Sequence, residues 1–217
     1  LLPAIKDTEL ELPVLLAAWL SFSMSEIRGL TKSKSISGDH IRIAEVVVVV
    51  GGKDHRKEIA KNKTVEEKMA LADEISRGYF RQGLNCTECV LRTFMDMYDV
   101  ELPEDVLCMA TGFGGGIGHT KNICGAITGA VMALGTVKGR RNPFGPKEEM
   151  GQRIKHLQGD IYPVFGEMVT EIENKYGTLI CREMSQPFGD FDSKPRKKNC
   201  MEIIAYCAQL AVKYAEN

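Results

Sequence analysis

The sequence lacks an excess of charge of either sign. Its 28 lysines and arginines nearly balance 29 aspartates and glutamates, which leaves a formal net charge of −1. Proteins that bind the phosphate backbone of nucleic acids usually carry a clear basic surplus. The basic clusters Arg140–Arg141 and Lys194–Lys198 are short, and we interpret both as solvated loops. We therefore predict no nucleic-acid partner.

Long apolar runs are also lacking. The run from Leu12 to Phe22 contains Pro13 and is shorter than the roughly 20 residues that a transmembrane helix needs. The first dozen residues include acids and no basic cluster of the kind that begins a secretory signal peptide. We expect no membrane insertion and a cytoplasmic location.

Cysteine, by contrast, is abundant for a chain of this kind, with seven residues. An odd number without an export signal argues against a disulfide framework and favours reduced, metal-binding or redox-active thiols. The seven are Cys86, Cys89, Cys108, Cys124, Cys181, Cys200 and Cys207.

Hydrophobic periodicity and helix-end signals predict an all-α fold, a bundle of about six helices. Thr64 and Glu67 form a capping box at the start of a helix over 65–79. Pro103 lies in the first turn of another helix. The other helices are predicted over 85–98, 122–138, 146–175 with an interruption around 159–166, and 196–215.

The N-terminal quarter has a different character. Apolar spacing predicts a helix over 10–30, and the β-branched run 43–50 predicts one short strand. The charged stretch 52–63 is interpreted as a helix-poor boundary. We therefore predict an N-terminal helical extension over 1–60 and a four-cysteine domain over 65–217.

The segment from Gly112 to Gly135 carries the most informative chemistry. Cys124 falls in the first turn of a predicted helix, where unpaired N–H groups favour the thiolate, so we predict that it has a lowered pKa. The loop 112–118 fits neither the dinucleotide-binding nor the P-loop pattern. Its N–H groups, at Gly114, Gly115 and Gly116, have no side chains in front of them and could donate to a thiolate or a bridging sulfide.

A stripe of small residues follows Cys124 along the same helix. Gly125, Gly129 and Ala133 are spaced by four residues and therefore share one face. Glycine inside a helix costs about 1 kcal/mol, so two of them on one face indicate that a backbone or a cluster approaches closely.

Cys86 and Cys89 form a C-x-x-C motif. Val90 occupies the position that a covalently attached haem would require to be histidine, so haem attachment is excluded. Cys108 is predicted to be a buried core thiol, as reduced cysteine often is.

Together these pieces resemble the redox-active protein family that is named for its cysteine pattern, C_GCAxxG_C_C. That family is similar to the C-terminal region of split-Soret cytochromes, which carry a [2Fe–2S] cluster besides haem. The resemblance implies four family cysteines that could ligate such a cluster, and it implies no specific enzymatic reaction. The matching residues are Gly83–Cys86, Gly112–Gly118, Cys124–Gly129, Cys181–Glu183 and Cys200, and the four cysteines are Cys86, Cys124, Cys181 and Cys200.

Three functions follow as hypotheses. The first is electron transfer by an iron–sulfur cluster on the four family cysteines, with a redox partner protein. The second is thiol–disulfide chemistry at Cys124 or Cys86. The third is a module without enzymatic activity that binds structural zinc, with His119 as a further ligand, or binds a partner and no metal. The apolar face Leu12–Leu20 is interpreted as core or as a homodimer contact.

Overall fold

The helices begin and end close to the residues that the sequence signals predict. In this computed structural model, residues 53–144 and 149–217 are described, and the predicted all-α bundle is confirmed. The predicted helix 10–30 and strand 43–50 lie outside the described residues, and the division into two domains stays a prediction. The α-helices are α1 (Lys53–Lys61), α2 (Val65–Arg81), α3 (Cys86–Met97), α4 (Cys108–Thr111), α5 (Gly125–Lys138), α6 (Met150–His156), α7 (Tyr162–Tyr176), α8 (Cys181–Ser185) and α9 (Lys194–Glu216).

Capping residues explain where the central helices begin. The Thr64 hydroxyl accepts from the Glu67 N–H at 3.3 Å, and the Glu67 carboxylate accepts from the Thr64 N–H at 2.9 Å. Asn85 and Glu88 repeat this reciprocal arrangement at the start of α3. Each pair satisfies donors that the first helical turn leaves unpaired.

The interpretation of 52–63 as helix-poor is wrong, because Lys53–Lys61 forms α1. The helix predicted from Pro103 is also shorter than a regular helix. It is a 3-10 turn, Glu104–Leu107, followed by the single α-helical turn α4.

The interruption predicted around 159–166 is a turn of π-helix, Leu157–Ile161, which lies between α6 and α7. Pro163 lies just after it. Proline has no N–H to donate to the carbonyl four residues earlier, and its ring collides with that carbonyl in a regular helix. A π turn removes the collision by widening the backbone. Gly177, with a φ of 74°, ends α7 in the left-handed conformation that glycine adopts without cost.

The core lies among α2, α3, α5 and α9, which pack against one another. Helix α3 is the most deeply buried, and nine of its 12 residues are inaccessible to solvent. The longest helix, α9, contacts each of the other three. No helix in the ranges 53–144 and 149–217 is both long and apolar enough to cross a membrane. Large side chains that are fully buried include Leu91, Phe94, Met95, Leu134, Ile203, Ile204 and Leu210.

A buried carboxylate, Asp96, connects α1 and α2 to α3. Asp96 is fully inaccessible to solvent, and it pairs with the guanidinium groups of Arg56 and Arg92. The Arg92 Nε lies 2.9 Å from Asp96 Oδ1, and the Tyr79 hydroxyl also donates to this carboxylate. Because Arg56 belongs to α1, this pairing gives a strongly charged helix a fixed place on the core.

We expect Asp96→Asn to lower the free energy of unfolding by about 3 kcal/mol, because it leaves two guanidinium groups near the core without their shared anion. Urea denaturation monitored by circular dichroism measures the change. The matched control is Asp99→Asn, since Asp99 pairs with Lys57 at 2.8 Å and has a side chain that is 86% exposed. Surface pairs contribute about 1 kcal/mol or less. Equal losses in the two variants would contradict a special role for Asp96.

Candidate functional site

The four family cysteines come from four different helices. Cys86 is the first residue of α3, and Cys124 immediately precedes α5. Cys181 is the first residue of α8, while Cys200 lies two turns into α9. Cys124, Cys181 and Cys200 are buried, whereas Cys86 is partly exposed.

A short antiparallel bridge between Ile123 and Ile180 joins the two segments that carry Cys124 and Cys181. The Cys124 N–H donates to the Leu179 carbonyl at 2.9 Å, and the Cys181 N–H donates to the Asn122 carbonyl at 2.6 Å. Each bond restrains the backbone at a cysteine. The pair Cys124 and Cys181 is therefore fixed by main-chain contacts between segments more than 50 residues apart in sequence.

Glycines in α5 allow Cys86 to lie close to the start of that helix. A β-carbon added at Gly125 would lie 3.2 Å from Cys86 Cβ and 2.8 Å from Thr87 Oγ1. One added at Gly129 would lie 2.9 Å from the Thr87 carbonyl oxygen. The Thr87 hydroxyl donates to the Gly125 carbonyl at 2.9 Å across this contact. The stripe predicted from sequence is thus a close approach of two helix backbones.

The glycine loop 112–118 lies against both Cys86 and Cys181. The Gly115 N–H donates to the Cys86 sulfur. Gly116 has a φ of 75°, and a β-carbon there would lie 2.9 Å from Cys181 Cβ. Gly114 packs on Asn85, the residue that caps α3, and a β-carbon there would lie 2.8 Å from its Cγ. The loop therefore requires small residues at all three predicted positions.

Non-glycine residues with positive φ continue this loop. Ile117, His119 and Lys121 have φ values of 60°, 65° and 65°. Left-handed conformations are uncommon for such residues and cluster at functional sites when the surrounding structure enforces them. The Cys181 side of the site is built on this constrained backbone, because the Lys121 carbonyl accepts from the Arg182 N–H at 3.0 Å.

Burial and charge affect the cysteine thiols in opposite directions. The Cys200 thiol donates a hydrogen bond to Cys86 and lowers the pKa of Cys86 to about 7 from an ordinary 9.0. The nearby Arg196 guanidinium and the Gly115 N–H lower the Cys86 pKa further, while burial opposes them. The same hydrogen bond, together with burial, raises the pKa of Cys200. Cys86 is the thiolate of this pair.

The prediction that Cys124 has a lowered pKa is wrong. Burial raises the pKa of Cys124 to about 12, and the negative charge of Cys86 raises it further. The N–H groups of Ala126 and Ile127 act in the opposite direction but do not offset burial. Local N–H groups at the start of α5 favour the thiolate, but the removal of water from Cys124 outweighs them.

The remaining cysteines have different environments. The prediction that Cys108 is a core thiol is wrong, because Cys108 is exposed at the start of α4. Cys89 is buried, and its thiol donates to the Leu84 carbonyl at 3.5 Å. Cys207 is buried two turns beyond Cys200, where burial and the charges of Cys124 and Cys86 raise its pKa.

Sequence reasoning missed Arg196. The basic run that contains it was interpreted as a solvated loop, but Arg196 lies in the first turn of α9 and is only 6% exposed. Its guanidinium carbon lies 3.4 Å from the centre of the Phe191 ring. A run of several adjacent basic residues in one helical turn gives no signal of which one points inward.

The thiols do not converge on one point. In the described ranges, no group of three or more histidine, cysteine, aspartate or glutamate side chains is placed to hold a single metal ion. His119, the predicted further zinc ligand, packs edge-to-face on Phe191 with ring centres 4.4 Å apart. Cys86 instead lies beside Cys200, and Cys124 lies within electrostatic range of both Cys86 and Cys181.

The model of one protein family, described as "Putative redox-active protein (C_GCAxxG_C_C)", matches residues 84–214, more than half of the chain. The chain belongs to this family. An uncharacterized protein of Archaeoglobus fulgidus is 29% identical over 133 residues, which cover 59% of this chain and 82% of the relative. No solved structure matches. Family membership confirms the predicted resemblance. The family description names a redox activity together with the cysteine pattern.

Two glycines of α5 provide a matched test of the close helix contact in this family member. We expect Gly129→Ala to lower the free energy of unfolding by about 1–3 kcal/mol, because the new methyl group would collide with the Thr87 backbone. Gly135→Ala should raise it by about 0.5–1 kcal/mol, since nothing lies within 4 Å and alanine favours the helix. Chemical denaturation measures both, and changes of the same sign would contradict the contact.

The pKa of Cys86 predicts how it reacts in the reduced, metal-free protein. Because only the thiolate is nucleophilic, alkylation of Cys86 by iodoacetamide should reach half its maximal rate near pH 7. Cys200→Ala removes the main hydrogen-bond donor, so the midpoint should rise towards 9. Cys124→Ala should leave it near 7, since the Cys124 thiol is neutral at that pH. Peptide mapping by mass spectrometry measures the rates, and an unshifted profile in Cys200→Ala would refute the assignment.

Proposed function

We propose that this protein transfers single electrons through an iron–sulfur cluster bound by Cys86, Cys124, Cys181 and Cys200. The observation that carries the proposal is that four segments of the bundle bring these cysteines near one another, with Cys86 beside Cys200 and with Cys124 and Cys181 on two segments joined by main-chain hydrogen bonds. Four cysteine thiolates are the usual ligands of [2Fe–2S] clusters, two to each iron. The pairs Cys86–Cys200 and Cys124–Cys181 match that division.

The surroundings of the thiols fit such a group. The Gly115 N–H already donates to a cysteine sulfur. N–H donors and the exclusion of water are the means by which proteins adjust cluster potentials. A zinc ion would need three or four ligands around one point, and the described residues offer no such set. The donor set therefore favours a cluster with two metal positions over a single ion.

When bound, a [2Fe–2S] cluster supplies reversible one-electron transfer in which no bond to a substrate forms or breaks. The protein residues provide the conditions for this transfer. Cys124, Cys181 and Cys200 keep water away because they are buried, and the partly exposed Cys86 marks the side on which a redox partner protein would approach.

The test is purification and reconstitution with iron and sulfide in the absence of oxygen. We expect visible absorption of an iron–sulfur protein, with about two irons and two acid-labile sulfides per chain. Serine variants of the four family cysteines should lose most of the iron. The matched control is Cys108→Ser, since Cys108 is exposed and is not one of the four family cysteines. A colourless protein, or iron retained after loss of both Cys124 and Cys181, would refute the cluster.

A second function is favoured by one specific observation, the hydrogen bond from the Cys200 thiol to a Cys86 sulfur with a pKa near 7. Such a pair could form a reversible disulfide. In that reaction, the Cys86 thiolate and the Cys200 thiol lose two electrons and one proton, and one molecule of oxidised glutathione takes these up with one proton from water to become two reduced ones. Thiol counting after incubation with oxidised glutathione tests it, and seven free thiols in every sample would exclude it.

A further inference from the structure

The most unusual charged residue beside the cysteines is Arg196. It occupies the first turn of α9, where the helix dipole is positive and disfavours a cation. It is also 6% exposed, although arginine is almost never fully buried unless it is paired. Two independent rules therefore oppose arginine at this position. Residues that break local rules are expected where function requires them.

No acid within the described ranges neutralises this guanidinium. Arg196 has no carboxylate partner there, and its Nε is buried without a hydrogen-bond acceptor. The nearest acidic neighbour in sequence, Asp192, lies beside Lys197 instead, at 4.0 Å. Phe191 provides a ring face for the cation, 3.4 Å from the guanidinium carbon, but no negative charge.

The negative charge that remains nearby belongs to the cysteines. Cys200 lies four residues after Arg196, on the same face of α9. Cys86, whose sulfur accepts the hydrogen bond from Cys200, is within electrostatic range of the guanidinium. Burying an unpaired ion costs several kcal/mol, so a cation in this position implies an anion beside it in the working protein.

We propose that Arg196 is the counterion of the four-cysteine site and stabilises its more negative, reduced state. The inference rests on the proposed redox function, but it holds for either form of it. Reducing a cluster adds one electron and one negative charge. Reducing a Cys86–Cys200 disulfide adds two electrons and one proton, which leaves a thiol at Cys200 and a negatively charged thiolate at Cys86. In both cases a fixed positive charge favours the reduced state, so its removal makes the reduction potential more negative.

The experiment measures the reduction potential in matched variants of the whole chain. Arg196→Met removes the charge while retaining apolar volume, and Arg196→Lys retains the charge. Lys197→Met is the control, because it removes one positive charge from the adjacent residue, whose side chain is 54% exposed. A reconstituted cluster is titrated with dithionite and followed by visible absorption. If the wild type binds no iron, the thiol pair is titrated with reduced and oxidised glutathione.

We expect Arg196→Met to shift the reduction equilibrium at least about tenfold towards the oxidised state. Tenfold corresponds to about 59 mV for the one-electron cluster or about 30 mV for the two-electron disulfide. Arg196→Lys should recover most of the shift, and Lys197→Met should change the equilibrium less than about twofold, since exposed charges are screened. Urea denaturation checks that each variant is folded, and Arg196→Gln replaces Arg196→Met if the latter is not.

Three results would overturn this role of Arg196. The first is an unchanged potential in folded Arg196→Met, which would make the residue purely structural. The second is an equal shift in Lys197→Met, which would show a general effect of surface charge. The third is a chain with neither a cluster nor an oxidisable thiol pair. A wild type without iron whose disulfide potential depends on Arg196 would refute the cluster alone.

Discussion

The close contact between the backbones of α3 and α5 is the constraint on which the site depends. Helix α3 begins at Cys86 and α5 begins just after Cys124, and a β-carbon at Gly125 or Gly129 would lie 2.8 Å or 2.9 Å from an oxygen of Thr87. A larger residue at either position would push the helices apart and would separate Cys86 from Cys124. The family motif that joins a cysteine to two glycines four residues apart is therefore a packing requirement as well as a chemical one.

Main-chain contacts complete the arrangement from the other side. The bridge between Ile123 and Ile180 brings α8 to the start of α5, and the left-handed loop before it leaves room for Cys181. Backbone hydrogen bonds depend little on side-chain identity. The site therefore combines two kinds of restraint, a glycine contact for Cys86 and a backbone bridge for Cys181, and α9 adds Cys200 through ordinary core packing.

Local sequence signals predicted most of the helices. They gave wrong predictions where the environment of a residue depends on another residue far away in the sequence. Capping residues and glycines act within a few positions, so the helix limits and the glycine stripe could be read directly. The place of α1 on the core depends on the pairing of Arg56 with Asp96, 40 residues away. The environment of Arg196 depends on Phe191 and Cys86, and the high pKa of Cys124 depends on burial by the whole bundle. None of these relations has a signature in local sequence.

The partial exposure of Cys86 has a consequence for damage by oxidants. The other three family cysteines are buried, so a peroxide arriving from solution meets Cys86 first. Its lowered pKa also increases the share of thiolate, which is the form that reacts with peroxide. Oxidation of Cys86 to a sulfenic acid, which thiols can reverse, would then precede harm to the interior. Cys86 is therefore the family cysteine at which oxidation from solution would begin.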